Sequence, residues 1–91
     1  MAAIRLVVRG RVQGVFFRDW TVRAARSAGI AGWVRNRFDG AVEIHAEGDA
    51  AALDDFAAAC RHGPERARVD ALEANDATVT GAQIFERRPD A

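Results

Sequence analysis

At 91 residues the chain has room for one domain with one thin core, burying roughly 60–70% of the surface its unfolded form exposes. With 49% of residues hydrophobic it is expected to pack as a globule. No apolar run approaches the roughly 20 residues of a membrane helix, and no apolar stretch at the N-terminus resembles a signal peptide, so a cytoplasmic location is expected. The 13 cations balance the 13 anions, which argues against general nucleic-acid binding, and every cation is Arg, which rules out Schiff-base and P-loop lysine chemistry.

Residues 4–9 (IRLVVR) alternate, with Ile4, Leu6 and Val8 on one face, and read as a strand. Residues 10–17 (GRVQGVFF) follow as a loop. From Arg18 to Ala28 the period changes: Phe17, Trp20, Ala24 and Ala28 fall at helical spacing, and Gly29 supplies the stop. Residues 31–38 and 41–47 flank Asp39-Gly40, a two-residue link that predicts a hairpin with positive φ at both turn positions. In the second of these strands Glu43, His45 and Glu47 occupy the face opposite Val42, Ile44 and Ala46 and are expected to be solvated.

Asp49 is the expected N-cap of a second helix, with Asp54 and Asp55 near its positive end and Arg61 in its last turn. Its apolar stripe is Leu53, Phe56, Ala57 and Cys60, and Gly63-Pro64 ends it. The lone Cys60 is a core residue by this spacing and cannot form an internal disulfide. Residues 66–74 and 82–87 read as strands, and the tail beyond Arg88 as frayed. Trp20, Trp33 and Phe38 read as core or rim residues. Strand, helix, strand, strand, helix, strand, with a short extra strand, is an α+β, ferredoxin-like βαββαβ sandwich. It places two helices on one face of a mostly antiparallel sheet, with residues 1–91 forming a single domain.

The loop GRVQGVFFR, residues 10–18, carries the chemistry. Gly10 and Gly14 let the backbone curl so that successive N–H groups face inward as an anion-binding nest, reinforced by the positive end of the following helix. Arg18 is an unusual choice there, since a cation at a helix N-terminus costs about 0.3–1 kcal/mol. A bound phosphate would reverse that sign and could be gripped by two guanidinium nitrogens. An ordinary surface Arg paired with Asp19 or Glu47 fits the same spacing.

GRVQGVFFR closely resembles the signature of the acylphosphatase family, and GWVRNRFDG at 32–40 resembles its second signature. The Gly63-Pro64 break followed by Ala67 and Val69 is also similar to the family's later segment, so the likeness runs from Ile4 to about Arg87. The resemblance implies an enzyme that hydrolyses a small acyl phosphate to a carboxylate and inorganic phosphate with no cofactor or metal. It implies that Arg11, Val12, Gln13, Gly14, Val15, Phe16 and Phe17 form the phosphate loop, that Arg18 binds the phosphate, and that Asn36 orients the attacking water. Phe16 stands at a position that varies in the family. Neither nucleic acid nor membrane is an expected partner, and a monomer is expected.

The proposed chemistry explains why no nucleophile or triad is recognisable: a carboxylate leaving group, with a pKa near about 4, needs no general acid. Asn suits a water holder, since its amide both accepts and donates without titrating. His45, between two glutamates, fits a solvated strand face better than a metal site, and His62 fits a helix end. Two other functions compete. A non-catalytic phosphate or carboxylate sensor would use the same nest, although the length of the chain favours a free-standing enzyme. An RNA-binding sheet would need an aromatic platform where residues 4–9 offer Arg, Leu and Val.

Overall fold

In chain order the elements are β1 (Ala2–Arg11), α1 (Phe17–Ser27), β2 (Ala31–Asn36), β3 (Val42–Gly48), α2 (Ala50–Cys60), β4 (Arg68–Asp76) and β5 (Phe85–Arg87). The computed structural model describes all residues, 1–91. The strands form one sheet of order β4-β1-β3-β2-β5, antiparallel except for the β2–β5 pair. This is the expected ferredoxin-like arrangement.

Period-two alternation decides the faces. Leu6 and Val8 of β1, Val34 of β2, and Val42, Ile44 and Ala46 of β3 meet Phe17, Val22 and Ala25 of α1 and Leu53, Phe56 and Cys60 of α2. Each fully buried side chain of the size of Leu6 or Ile44 contributes about 1.5–3 kcal/mol. Burial pushes the Cys60 thiol up to about 12, so it stays protonated and behaves as the core residue its spacing suggested.

The hairpin differs from expectation in a way that matters for β2. Only Gly40 has positive φ (95°); Asp39 does not. Gly40 N–H donates to Arg37 O (3.1 Å) and Arg37 N–H to Ala41 O (2.8 Å), while Asp39 Oδ1 accepts the Ala41 N–H at 3.1 Å. The link is therefore a longer loop with a single left-handed glycine, and β2 stops at Asn36 rather than at residue 38. Phe38, read as core or rim, is left 84% exposed. Trp20 is half-buried edge-on to Phe17 (5.6 Å between centroids).

Asp49 is the residue before α2, as expected, but its side chain makes no capping bond. Asp54 and Asp55 lie beyond the first turn, and Arg61 is the residue that follows the last. The two later strands are shifted to 68–76 and shortened to 85–87. The tail is not frayed. Arg88 N–H donates to Val34 O (2.9 Å), Ala91 N–H to Asn36 O (3.0 Å), and Phe38 N–H to Ala91 O (2.8 Å). These bonds carry the last residues alongside β2, where they reach the end of α1.

The outer face of β3 is the main correction to the sequence reading. Glu43, His45 and Glu47 are buried rather than solvated. Arg5 and Arg35 close over Glu43, with Arg35 Nε 2.7 Å from Oε1. Trp33 stacks on His45 (5.9 Å) and lies under the guanidinium groups of Arg35 (4.7 Å) and Arg88 (5.1 Å). Glu47, 1% exposed, anchors the connection between β4 and β5. It accepts the N–H groups of Thr80 and Gly81 (each 3.0 Å) and the Thr80 hydroxyl (2.5 Å), with His45 Nε2 at 2.6 Å.

Burial alone would push the Glu47 carboxyl up. The bonds from the Thr80 hydroxyl, His45 and the two backbone N–H groups outweigh it, holding the group at about 2 against an ordinary 4.5. The folded form therefore binds the proton less readily than the unfolded form. That stabilisation, of the order of 3 kcal/mol, is fully present above the unfolded value and is lost as pH falls from about 4.5 toward 2. Glu47→Gln is expected to flatten the urea stability profile across that window. An unchanged slope between pH 5 and about 2 would show that these bonds contribute nothing net.

Candidate active site

The turn between β1 and α1 is built around two left-handed residues, Gly14 (φ 72°) and Phe16 (φ 64°). Glycine reaches that region without strain, whereas Phe16 is the one non-glycine residue with positive φ, which costs on the order of 1–2 kcal/mol. Phe16 is also the N-cap of α1, and no side chain caps this end. The result is a run of unpaired donors: from Val12 to Asp19 no backbone N–H donates to any protein acceptor. Every helix leaves its first N–H groups without intrahelical partners; here the loop residues Val12 to Val15 extend that run, the geometry of an anion-binding nest.

These donors open into a cleft of about 310 Å³ lined by Val12, Gly14, Phe16, Phe17, Arg18, Asp19, Asn36 and Arg87. Arg18 and Asn36, 18 residues apart in sequence, thus share one wall system. Arg18 follows the first residue of α1. Asn36 is the last residue of β2, on the same face as Val34, and therefore points toward the helix layer rather than the outer face. It is 8% exposed, and its Oδ1 is buried without a hydrogen-bond partner. Leaving such an acceptor unpaired costs about 1–3 kcal/mol, the signature of a group retained for something other than stability.

The residues of the expected phosphate loop divide. Val12, Gly14, Phe16 and Phe17 line the cleft; Arg11, Gln13 and Val15 do not. Arg11 ends β1 opposite Arg68 and is exposed. Val15 is buried in the core. The Gln13 amide turns away and donates to Arg37 O (2.8 Å) and Ala41 O (2.9 Å). It ties the loop to the β2–β3 hairpin, and so fixes the spacing between the nest and Asn36.

Neither carboxylate first considered as a surface partner for Arg18 holds it. Asp19 pairs with Arg87 (2.7 Å), and Glu47 lies on the other side of the sheet. Arg18 Nη1 instead lies 3.5 Å from Asp90 Oδ1, carried there by the ordered tail. At that length and exposure the pair contributes at most about 1 kcal/mol. Asp90→Asn is expected to raise the affinity for inorganic phosphate by up to about fivefold, the equivalent of that energy. Isothermal titration with phosphate measures it, and a weaker affinity in the variant would mean that Asp90 helps rather than competes.

Arg87, a second cation in the cleft, and Asp90 were not singled out from the sequence, because only the path of the tail brings them here. No group of three or more His, Cys, Asp or Glu is placed to hold a metal ion, and no helix is long and apolar enough to cross a membrane.

Residues 4–86 match the family model described as Acylphosphatase. The chain belongs to the acylphosphatase family. An acylphosphatase of Rhizorhabdus wittichii is 46% identical over 87 residues, covering 96% of this chain and 88% of the relative. The crystal structure of acylphosphatase from Bacillus subtilis superimposes with a TM-score of 0.94 at 38% identity, covering 97% of this chain and 99% of that one. The HypF structure from T. kodakarensis contains the same fold at 30% identity and a TM-score of 0.85, over 97% of this chain but only 12% of the larger protein. The acylphosphatase fold thus occurs both at nearly this length and as a small part of a longer chain.

Proposed function

We propose that this protein hydrolyses acyl phosphates to a carboxylate and inorganic phosphate. The observation that carries this reading is the run of free N–H donors from Val12 to Asp19, six residues of which line the cleft that Asn36 also lines. Family membership supports the same activity.

In this mechanism the nest and the positive end of α1 hold the phosphoryl oxygens, and Arg18 grips two of them. Asn36 accepts a hydrogen bond from the attacking water through Oδ1 and aims the water at phosphorus. The new P–O bond forms as the bond from phosphorus to the carboxylate oxygen breaks. The departing carboxylate is already a stable anion and takes no proton, and the water's proton passes to a phosphate oxygen. Positioning and charge stabilisation therefore suffice. Neither a protein nucleophile nor a metal is required by this chemistry, which suits a site whose only titratable side chains are Arg18, Asp19 and Arg87. The protein acts on a free small molecule as a cytoplasmic, single-domain monomer that engages neither nucleic acid nor membrane.

The test is hydrolysis of benzoyl phosphate by the purified protein in EDTA, with inorganic phosphate as competitor. Turnover that phosphate inhibits supports the assignment. Tight phosphate binding without turnover would instead make the chain a phosphate-binding module.

A further inference from the structure

Phe16 combines three properties that stability does not explain. Its backbone is strained at φ 64°, the residue is 69% exposed, and it is not among the residues packed on the hydrophobic core. Asn or Gly would adopt the same backbone at lower cost, and a polar side chain would spare the exposed apolar surface.

The ring's place in the cleft supplies the missing reason. Of the other lining residues, Val12 and Phe17 are each 1% exposed and form the floor, and Gly14 has no side chain. Arg18, Asp19, Asn36 and Arg87 are polar. Phe16 is therefore the only apolar side chain that the cleft presents to solvent. The acyl group of a phosphate held in this cleft leaves toward solvent, and the apolar surface available to it there is the Phe16 side chain.

We infer that Phe16 is a specificity-determining residue that selects acyl phosphates whose acyl group is aromatic or bulky and apolar. The inference rests on the function proposed above. The ring contacts the part of the substrate that does not react, so it acts on binding and discrimination, and the phosphate cradle is untouched. One aromatic contact of this kind is worth a factor of about 3–10 in affinity.

The experiment compares binding of benzylphosphonate and methylphosphonate, which share a headgroup and differ by the ring, so the readout does not depend on turnover. Wild type is expected to prefer benzylphosphonate by about 3–10-fold. Phe16→Asn, which accommodates the left-handed backbone and keeps the residue's N–H, is expected to bring the two affinities to near parity. Phe38→Ser is the control: Phe38 is more exposed but lies outside the cleft lining, and its loss is expected to leave the preference intact. Headgroup binding with the same preference in wild type and Phe16→Asn overturns the inference alone. If neither phosphonate binds wild type, the cradle itself fails, and the proposed function falls with the inference.

Discussion

Arg18→Ala is expected to remove inorganic phosphate binding at millimolar concentrations and to lower kcat/KM for an acyl phosphate by at least about 100-fold. Each charge-assisted hydrogen bond contributes about 1.5–3 kcal/mol. Losing a two-pronged grip thus costs about 3–6 kcal/mol, or a factor of roughly 10²–10⁴. Arg18 has little else to hold it in place, since its one carboxylate contact is Asp90 at 3.5 Å. The loss should therefore fall on function and not on folding. Removing a cation from the positive end of α1 is in fact favourable by about 0.3–1 kcal/mol. The variant is expected to melt at or slightly above the wild-type temperature while its activity collapses. Arg18→Lys keeps the charge but not the planar fork and should recover only part of the rate. Steady-state kinetics beside a thermal melt decide it: a variant that loses activity and stability together would mean that Arg18 holds the loop and not the phosphate.

The order of elements and the location of the loop were readable because local rules decide them. The alternation of Leu6 with Val8, the helical spacing from Phe17 to Ala24 and the stops at Gly29 and Gly63-Pro64 depend on no distant partner. The turn between β1 and α1 was foreseeable in outline from Gly14, whereas Gly10, expected to help curl the loop, lies within β1 opposite Val69. The strongest evidence for the nest, the unpaired N–H groups, is a matter of accounting across the whole chain, which only coordinates allow. The turn conformation at Asp39 and the missing side-chain cap at Asp49 were local misses; the larger failures depended on long-range contacts. Alternation put Glu43, His45 and Glu47 on the outer face correctly. Their burial comes from Arg5, Arg35, Trp33 and the Thr80–Gly81 segment, none of which is a near neighbour in β3. The tail looked frayed because its anchors are backbone carbonyls at Val34 and Asn36, which leave no trace in side-chain patterning. The same blindness hid Asp90 and Arg87. Phe16 was expected in the loop, but its left-handed backbone was not, because strain at a single residue is invisible to composition.

Asn36→Ala is expected to separate rate from binding. An alanine at the end of β2 leaves the nest and Arg18 in place, because Gln13 still ties the loop to Arg37 O and Ala41 O through atoms that the substitution does not touch. The affinity for inorganic phosphate should stay within about threefold of wild type, since in the proposed mechanism Asn36 holds the water and the phosphate is held by Arg18 and the loop N–H groups. The rate should fall by about 10²–10³, the usual effect of deleting one preorganised polar group that acts only in the transition state. Stability should move the other way. Oδ1 is a buried acceptor with no partner, so its removal relieves a penalty of about 1–3 kcal/mol, set against the packing lost with the side chain. On the proposed mechanism Arg18 and Asn36 share a property: each costs the fold something that it would return only with phosphate and water bound. Asn36→Asp makes the reading sharper, because a carboxylate still accepts a bond from water but brings a negative charge to a phosphate site. It should therefore weaken phosphate binding, which Asn36→Ala should spare. If Asn36→Ala turned over at near the wild-type rate, water would be positioned by another group, and the unpaired Oδ1 would need a different explanation.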